Sequence, residues 1–337
     1  MAASMPPLAP AHTSISASVA ARKWLLRHRE ALVLPALFVV AVTVFALGAP
    51  GFLSADNLIN LSRQSVYLMI VSLAQLVVLI GGGLDLSVGT VVALSSVVGA
   101  TIMAAASDAW PGSPGLAIAL GSAAGLASGV VIGLINGFGT AMLRIPAFMM
   151  TLGMSSVAFG LTLFVSGGVP ISGLPPAFGE TFGFGRIAGL PVPSLIAAVI
   201  VVAIYLLLEW TRYGRHLYAT GGNLRAADLS GVRTTRVIIG AFVIAGALSA
   251  LSGMLLTARL DTGESNIGAS LPLESIAACV IAGVSLSGGL GRTFKVVIGT
   301  LLIVLVQNGM NLMQIGAYAQ TIAIGAILIF AMALSRR

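Results

Sequence analysis

Long apolar runs follow one another along almost the whole of this 337-residue chain. A membrane-spanning helix needs about 20 predominantly apolar residues, and the apolar residues here suffice for roughly ten such helices. A spanning barrel would instead show segments of about 10 residues that alternate apolar and polar side chains, whereas residues 32–47 and 192–208 are apolar on every face. Charged residues make up only 8% of the chain, against about 25% in soluble domains. The sequence therefore predicts an all-α polytopic membrane protein and excludes a soluble fold.

Polar residues and Gly/Pro clusters divide the apolar runs into about ten predicted spans. These spans lie at residues 31–49, 66–82, 86–106, 116–139, 147–165, 191–209, 237–257, 273–284, 296–313 and 318–334. The eighth span is too short to cross a membrane alone, so short or broken helices are expected. We expect residues 31–337 to form a single transmembrane domain.

The N-terminal segment, residues 1–30, is rich in Ala, Ser and Pro and then in Arg. Its order resembles that of a signal peptide, but the apolar run that follows is long enough to span and is followed by no clear cleavage site. We therefore expect an uncleaved first helix, preceded by a disordered basic tail in the cytoplasm.

Basic residues cluster between the apolar runs and indicate the topology. Loops on the cytoplasmic side of a membrane carry an excess of Lys and Arg. With the N-terminus in the cytoplasm and ten spans, all but Arg63, Arg186 and Arg259 of the 17 Lys and Arg residues fall on the cytoplasmic side. Both termini are thus predicted to be cytoplasmic. Because the clusters do not form one basic face, no binding of nucleic acid is expected.

Glycine recurs every four residues in the fourth span, at positions 121, 125, 129, 133 and 137. Overlapping GxxxG units let another helix approach closely, so this span is predicted to be tightly packed. Cys279 is the single cysteine, which excludes an internal disulfide and does not fit a metal cluster. The sequence contains no phosphate loop, no HExxH and no G-x-S-x-G motif. We expect no cofactor, no metal and no enzymatic activity in this chain.

Two glycine-rich segments, 81–89 and 282–292, interrupt the helical pattern in the two halves of the chain. Paired interruptions of this kind are typical of transporter repeats, although two tight loops would give the same pattern. The first contains Asp85, an acid expected near or within the hydrocarbon, where a charge is rarely kept without a role. Asp85 either carries protons or caps the helix that follows, and the cap is the favoured interpretation. Glu274, after Pro272, is interpreted as a cap in the same way.

The longest predicted cytoplasmic loop, 210–236, contains the start and stop signals of a helix, which a simple basic connection does not need. Asn223 is predicted to cap a short helix over 224–230, which Gly231 then ends. Small residues on one side of such a helix favour docking to a partner. The alternative is a solvated, positively charged linker.

Amide side chains identify candidate residues for a translocation path. Gln307, Asn308 and Asn311 share roughly one face of the ninth span, and bare amides in lipid should meet another helix or a wet pathway. Asn136 and Gln75 have the same two interpretations, and neutral amides would suit a hydroxyl-rich solute. The candidate path residues are Asp85, Asn136, Gln307, Asn308 and Asn311.

Four stretches of the sequence carry a resemblance to a known family. They are GGGLDLSVG at 81–89, PAFMMTLGM at 146–154 with SGGVPI at 166–171, GRHLYATGGNLRAADLSGV at 214–232, and SIAACVIAGVSLSGGLGR at 275–292. From about residue 31 to residue 337 the chain resembles the permease subunits of binding-protein-dependent ABC importers for carbohydrates, the ribose, galactoside and xylose group. Leu84 stands where the family usually has Ile, a change that keeps an apolar side chain. No binding role is carried over to the 146–154 stretch, where other members often differ at Pro146.

The resemblance implies a type II-like ABC importer permease fold in the bacterial inner membrane. It implies partners: a second permease copy, two cytoplasmic ATP-binding subunits that hold ATP and Mg, and a periplasmic sugar-binding protein. The family's coupling loop matches Gly221, Gly222, Asn223, Ala226, Ala227, Ser230 and Gly231. Ribose, xylose, arabinose, galactose or a polyol would fit as solute. The alternative function is a proton-coupled secondary transporter that uses Asp85, and a passive channel lacks any selectivity signature.

Overall fold

The computed structural model describes residues 34–335, which form a bundle of helices. The predicted tail of residues 1–30 lies outside the described residues. The helices are α1 (Leu34–Gly48), α2 (Ala55–Ile80), α3 (Val88–Ala109), α4 (Pro114–Ala141), α5 (Ala147–Ser166), α6 (Pro176–Phe178), α7 (Val192–Trp210), α8 (Arg212–Gly222), α9 (Leu224–Leu229), α10 (Thr234–Leu260), α11 (Leu271–Ile281), α12 (Thr293–Leu312) and α13 (Ala317–Ser335).

Each of the ten predicted spans corresponds to a helix, and the all-α polytopic prediction is confirmed. Seven helices in the described part of the chain are long and apolar enough to cross a membrane. The eighth span is the 11-residue helix α11, as short as predicted. The largest error concerns the second span, because α2 begins at Ala55 and not at residue 66. Its polar first turns are helical, and the Ser54 side chain caps them by accepting a hydrogen bond from the Asn57 N–H.

Helix α2 is the centre of the bundle. Every residue from Ser65 to Ile80 is buried, and the helix packs against α7, α10, α11 and α12. Such a helix must be apolar on all sides. The main apolar cluster forms around it and joins Phe242 of α10, Leu208 of α7 and Val296 of α12.

Helix α4 packs along α3 and α10 through the glycines that recur every four residues. A Cβ atom at Gly129 would overlap the carbonyl oxygen of Gly246, and one at Gly133 would overlap that of Phe242. The backbones can approach this closely only because both positions lack a side chain. The prediction of tight packing is confirmed.

Helices α3 and α11 both begin inside the bundle. After α2 ends, residues 81–87 turn back alongside it, so that Asp85 lies beside Gln75 of α2. Residues 261–270 likewise run back along α3, and Gly268 packs against Gly89. As a result α11, about 16 Å long, lies against only one half of α2. Its start shares an apolar cluster with Leu68.

The segment between α5 and α7 covers the end of the bundle where α5 ends and α7 begins. It consists of α6, a π-helical turn at Gly179–Gly183 and a two-stranded antiparallel hairpin, β1 (Arg186–Ile187) and β2 (Leu190–Pro191). An isolated bridge between Ile171 and Gly263 ties this segment to the chain after α10. Helices α8 and α9 lie at the other end of α7, about 28 Å away along its axis.

The α4–α10 contact predicts opposite effects for one substitution at two glycines. Gly133→Ala should destabilise the protein by about 1–3 kcal/mol, because the new methyl group overpacks the contact with α10. Gly160→Ala on α5 meets no atom within 4 Å and should stabilise its helix by up to about 1 kcal/mol. Thermal unfolding of the purified variants in detergent measures both. Equal unfolding temperatures would contradict the assigned packing.

Candidate functional site

The predicted docking helix is present in the loop after α7. The Asn223 side chain accepts a hydrogen bond from the Ala226 N–H at 2.9 Å and caps α9. Gly231, with φ at +82°, adopts the left-handed conformation just after the helix. The helix ends at Leu229, one residue earlier than predicted. The local prediction of cap, helix and glycine stop is confirmed.

Helix α9 has one buried position, and its exposed positions carry two leucines as well as Arg225 and Asp228. Ala227 is buried against the protein, while the side chains of Leu224 and Leu229 are 53% and 83% exposed. The Tyr213 hydroxyl of the adjacent helix α8 donates to the Val237 carbonyl at 3.0 Å and ties the loop to α10. Two leucines are thus exposed on a short helix whose position is fixed by the buried Ala227 and by the contact between α8 and α10.

Backbone contacts join this loop to both glycine-rich breaks. The Gly289 N–H donates to the carbonyl of Ile80, the last residue of α2, at 2.9 Å. A Cβ at Gly221 would overlap the same carbonyl oxygen, and Gly288, with φ at +91°, lies against Gly82 and Gly221. We call these four glycines, at positions 82, 221, 288 and 289, the glycine junction. It brings the end of α2, the end of α8 and the α11–α12 loop into direct contact.

One tyrosine reinforces the junction from α8. The Tyr218 hydroxyl donates to the Gly291 carbonyl at 2.8 Å. Burial, together with the nearby charge of Glu209, raises the pKa of Tyr218 to about 12. The hydroxyl therefore keeps its proton at neutral pH and remains a hydrogen-bond donor.

Asp85 lies in the first break and is only 2% exposed. One carboxylate oxygen accepts hydrogen bonds from the Ser87 N–H at 2.8 Å and from the Ser87 hydroxyl at 2.6 Å. The Asn136 amide of α4 donates to the same hydroxyl at 2.8 Å. Helix α3 begins at Val88, not at residue 86, and Ser87 occupies its N-cap position. Asp85 thus folds the turn before the helix and is not itself the cap.

Two further side chains satisfy the backbone of this break. The Thr151 hydroxyl of α5 lies 3.1 Å from both the Leu84 carbonyl and the Leu86 N–H. The Gln75 amide, oriented to satisfy its neighbours, donates to the Asp85 carbonyl at 2.9 Å and accepts from the Asp85 N–H at 3.3 Å. Gln75 and Asn136 therefore connect the break to neighbouring helices.

The three amides at the end of α12 face three different neighbours. Asn308 and Asn57 of α2 exchange hydrogen bonds at 2.9 and 3.0 Å. Asn311 accepts from Gln320 of α13 at 2.7 Å. Gln307 lines a cavity. The expectation that these amides meet another helix agrees with the contacts of Asn308 and Asn311. That any of them lines a translocation path stays a prediction.

The cavity lies between α2, α10, α11 and α12 and has a volume of about 250 Å³. We call it the α11 cavity. Its walls are formed by Gln64, Tyr67, Leu68, Leu256, Ile267, Gly268, Ser270, Leu271, Glu274, Val304 and Gln307. The predicted cap role of Glu274 is wrong, because α11 begins after Ser270 and Glu274 is its fourth residue. Gln64 and Tyr67 carried no sequence signal, since only packing brings their helix to α11.

A helical bundle with helices that begin inside it and a short capped helix at one end has the architecture of a membrane transport permease. The chain belongs to the family described as branched-chain amino acid transport system / permease component, whose profile matches residues 57–332.

Several curated relatives cover most of both chains. The ribose import permease protein RbsC of Bacillus subtilis (strain 168) is 38% identical over 302 residues, 89% of this chain and 91% of the relative. The galactose/methyl galactoside import permease protein MglC of Escherichia coli (strain K12) is 35% identical, with coverages of 88% and 91%. The D-allose transport system permease protein AlsC of the same organism is 33% identical, with coverages of 89% and 90%. No solved structure matches the chain.

The predicted importer permease of the sugar type fits these relatives, and the proton-coupled alternative does not. The chain is a multi-pass membrane protein and a transport subunit. The Asp85 contacts agree with this outcome, because they give the carboxylate a local hydrogen-bonding role in the turn before α3.

Two substitutions at Asp85 test whether its carboxylate stabilises the fold or carries protons. Asp85→Asn keeps an oxygen that accepts from Ser87, so thermal stability and transport should both stay near the wild-type values. Asp85→Leu leaves the buried Ser87 N–H unsatisfied, and its unfolding free energy should fall by about 1–3 kcal/mol. Thermal unfolding and solute uptake measure the two effects. A stable Asp85→Asn protein without uptake would indicate a proton carrier instead.

Proposed function

We propose that this chain is the membrane-spanning subunit of an ABC importer that carries a monosaccharide or related polyol across the bacterial inner membrane. ATP and Mg are bound by separate cytoplasmic subunits, and a periplasmic protein delivers the sugar. The observation that carries the proposal is helix α9, which presents exposed leucines and is joined through the glycine junction to α2 and α11. The sugar importers among the relatives support the solute class.

The end of the bundle that carries α9 faces the cytoplasm in this proposal. Basic residues support this orientation, because the connections at that end hold Arg144, Arg212, Arg215, Arg225, Arg233, Arg236, Arg292 and Lys295. An excess of Lys and Arg is typical of cytoplasmic loops. Both chain termini then lie in the cytoplasm, and the β1–β2 hairpin faces the periplasm.

The glycine junction provides a route from the ATPase to the spans. Closure of the ATP-binding subunits moves α9, and α8 transmits the displacement to the end of α2 and to the α11–α12 loop. The contacts between Gly221, Ile80 and Gly288 are between backbones, so no side chain can rotate to absorb the motion. For ATP to drive the change, the inward- and outward-open states must differ in their affinity for nucleotide or for the binding protein.

A second copy of the chain completes the path in our proposal. Helix α5 buries only Thr151, Ala158, Thr162 and Ser166 within one copy, and large apolar side chains cover the rest of its surface. Lipid or another copy can cover such a surface. The family resemblance supports a homodimer, and native mass spectrometry in mild detergent distinguishes the two.

Reconstitution tests the function as a whole. Purification in mild detergent should retain an ATPase subunit that mass spectrometry identifies. Vesicles containing both subunits and the binding protein should take up D-ribose, D-allose or D-galactose when ATP is present, with L-leucine as the non-sugar comparison. Uptake that needs a proton gradient and no ATP would contradict the proposal.

The exposed leucine of α9 allows a direct test of the ATPase contact. Leu229→Glu places a charge at the most exposed apolar position of α9 and should reduce retention of the ATPase subunit about tenfold or more. The control is Leu190→Glu in the hairpin at the other end of α7, a leucine that is also exposed. Quantitative mass spectrometry of the purified complexes measures retention. Equal retention in both variants would refute the docking role. Leu229 is preferable to Ala227, because a larger side chain at a buried position would displace α9 itself.

Two glycine-to-alanine substitutions test whether Gly221 transmits motion from the ATPase subunit to the spans without contributing to the binding of that subunit. Gly221→Ala pushes α8 away from the Ile80 carbonyl and should reduce stimulated ATP hydrolysis about tenfold, while the ATPase subunit stays bound. The control is Gly115→Ala in α4, outside the coupling loop, which meets no atom of this chain within 4 Å and should keep stimulation near the wild-type value. Hydrolysis stimulated by loaded binding protein is measured in vesicles. Equal stimulation in the two variants would exclude the junction from the route.

A further inference from the structure

The α11 cavity occupies a position that the docking helix and the glycine junction do not explain. Tyr67 lies 13 residues from the end of α2, which places the cavity about 20 Å from the glycine junction. Gln307 lies 14 residues after the start of α12, which also corresponds to about 20 Å from the glycine junction along the helix axis. The cavity therefore lies within the thickness of the bilayer, where α11 begins. Transporters bind their solutes at such places, beside helices that begin inside the membrane.

The polar groups of this cavity lack partners within the described residues. The Glu274 side chain is only 9% exposed, and its carboxylate forms no hydrogen bond or ion pair with residues 34–335. The same is true of the Gln64 and Gln307 amides, which reach the cavity from opposite helices. Polar groups removed from water cost free energy unless a partner satisfies them. Of the three groups, Glu274 is buried and the two amides are half-buried. A buried carboxylate and two amides without partners around one cavity indicate an occupant that supplies the hydrogen bonds.

The surrounding charges restrict that occupant. An anion would meet the Glu274 carboxylate, which already stands at the positive end of the α11 dipole. A metal ion would need more ligands, and no group of three or more His, Cys, Asp or Glu residues exists in the described chain. A neutral solute suits the two uncharged amides, Gln64 and Gln307, that line the cavity together with Glu274.

Size and hydrogen-bonding capacity favour a polyol. A volume of about 250 Å³ is far more than the roughly 10–15 Å³ that one bridging water needs. Hydroxyl groups donate to a carboxylate, and they both donate to and accept from amides. Leu68, Leu256 and Val304 provide apolar walls for the C–H faces of such a solute.

We propose that the α11 cavity binds a neutral polyhydroxylated solute, through Glu274, Gln64 and Gln307, during its passage through the permease. This inference rests on the proposed function and adds a substrate site within a single copy of the chain. Glu274 accepts hydrogen bonds from solute hydroxyls, and the two amides exchange hydrogen bonds with other hydroxyls of the same solute.

Cysteine labelling tests occupancy directly. The single native cysteine, Cys279, is buried, so a cysteine introduced by Gln307→Cys is the reactive thiol in the cavity. In lipid nanodiscs, D-ribose, D-allose or D-galactose should slow its reaction with a methanethiosulfonate reagent, and L-leucine should not. The matched control is Gln314→Cys, an exposed position just after α12, whose labelling no sugar should slow. Labelling of Gln307→Cys that no sugar slows would overturn the proposal.

Transport assays supply the second measurement. Glu274→Leu should reduce ATP-driven sugar uptake about tenfold, because it removes an interaction made by the solute. ATP hydrolysis stimulated by loaded binding protein should stay within about twofold of wild type. The thermal stability of the variant should be unchanged or higher, since an unpartnered buried carboxylate is replaced by an apolar side chain. Gln314→Leu is the control and should leave uptake unchanged.

The outcomes separate the two proposals. Normal uptake by the Glu274→Leu importer refutes the site and leaves the importer function intact. A loss of thermal stability in Glu274→Leu also refutes the site, because it would show that the carboxylate serves the fold. Wild-type vesicles that show no ATP-driven uptake refute the importer function itself.

Discussion

Backbone groups inside a membrane must find hydrogen-bond partners within the protein, and the arrangement of this bundle depends on that constraint. Helix α3 begins inside the bundle. Gly81, Gly82 and Gly83 still bond to carbonyls at the end of α2, but residues 84–86 cross the interior without backbone partners of their own. Gln75, Asp85 and Thr151 supply the missing partners from three parts of the chain. The polar residues that look most like transport machinery in the sequence therefore stabilise a broken helix.

Glycine has a different role in this bundle, because it allows backbones to come into contact where side chains would keep them apart. Along α4 it permits contact with α3 and α10 over the whole length of the helix. At the glycine junction it joins three segments that are distant in the sequence. The first contact holds the bundle together, and the second connects the docking helix to α2 and to the α11–α12 loop. The same residue type thus permits close backbone contact both along the bundle and at the glycine junction.

Features that depend on neighbouring residues were predicted well. The ten helices follow from the apolar runs, and α9 follows from Asn223 and Gly231, whose effects act within one or two turns. The short apolar run at 273–284 also predicts that α11 is too short to cross a membrane alone. The assignments at Asp85 and Glu274 were wrong in detail, since the start of a helix inside the bundle depends on packing. Gln64 and Tyr67 of the α11 cavity could not be predicted, because nothing near them in the sequence marks them.

The sequence by itself determined the membrane class, the order and approximate ends of the helices, the docking helix and the family. These properties depend on composition and on interactions between residues a few positions apart. Only the tertiary structure decided which polar groups have partners. Asn308 pairs with Asn57 across 251 positions of sequence, while Gln307, next to Asn308, faces a cavity. Adjacent amides on one helix differ in this way because the neighbouring helices, and not the local sequence, determine what each side chain meets.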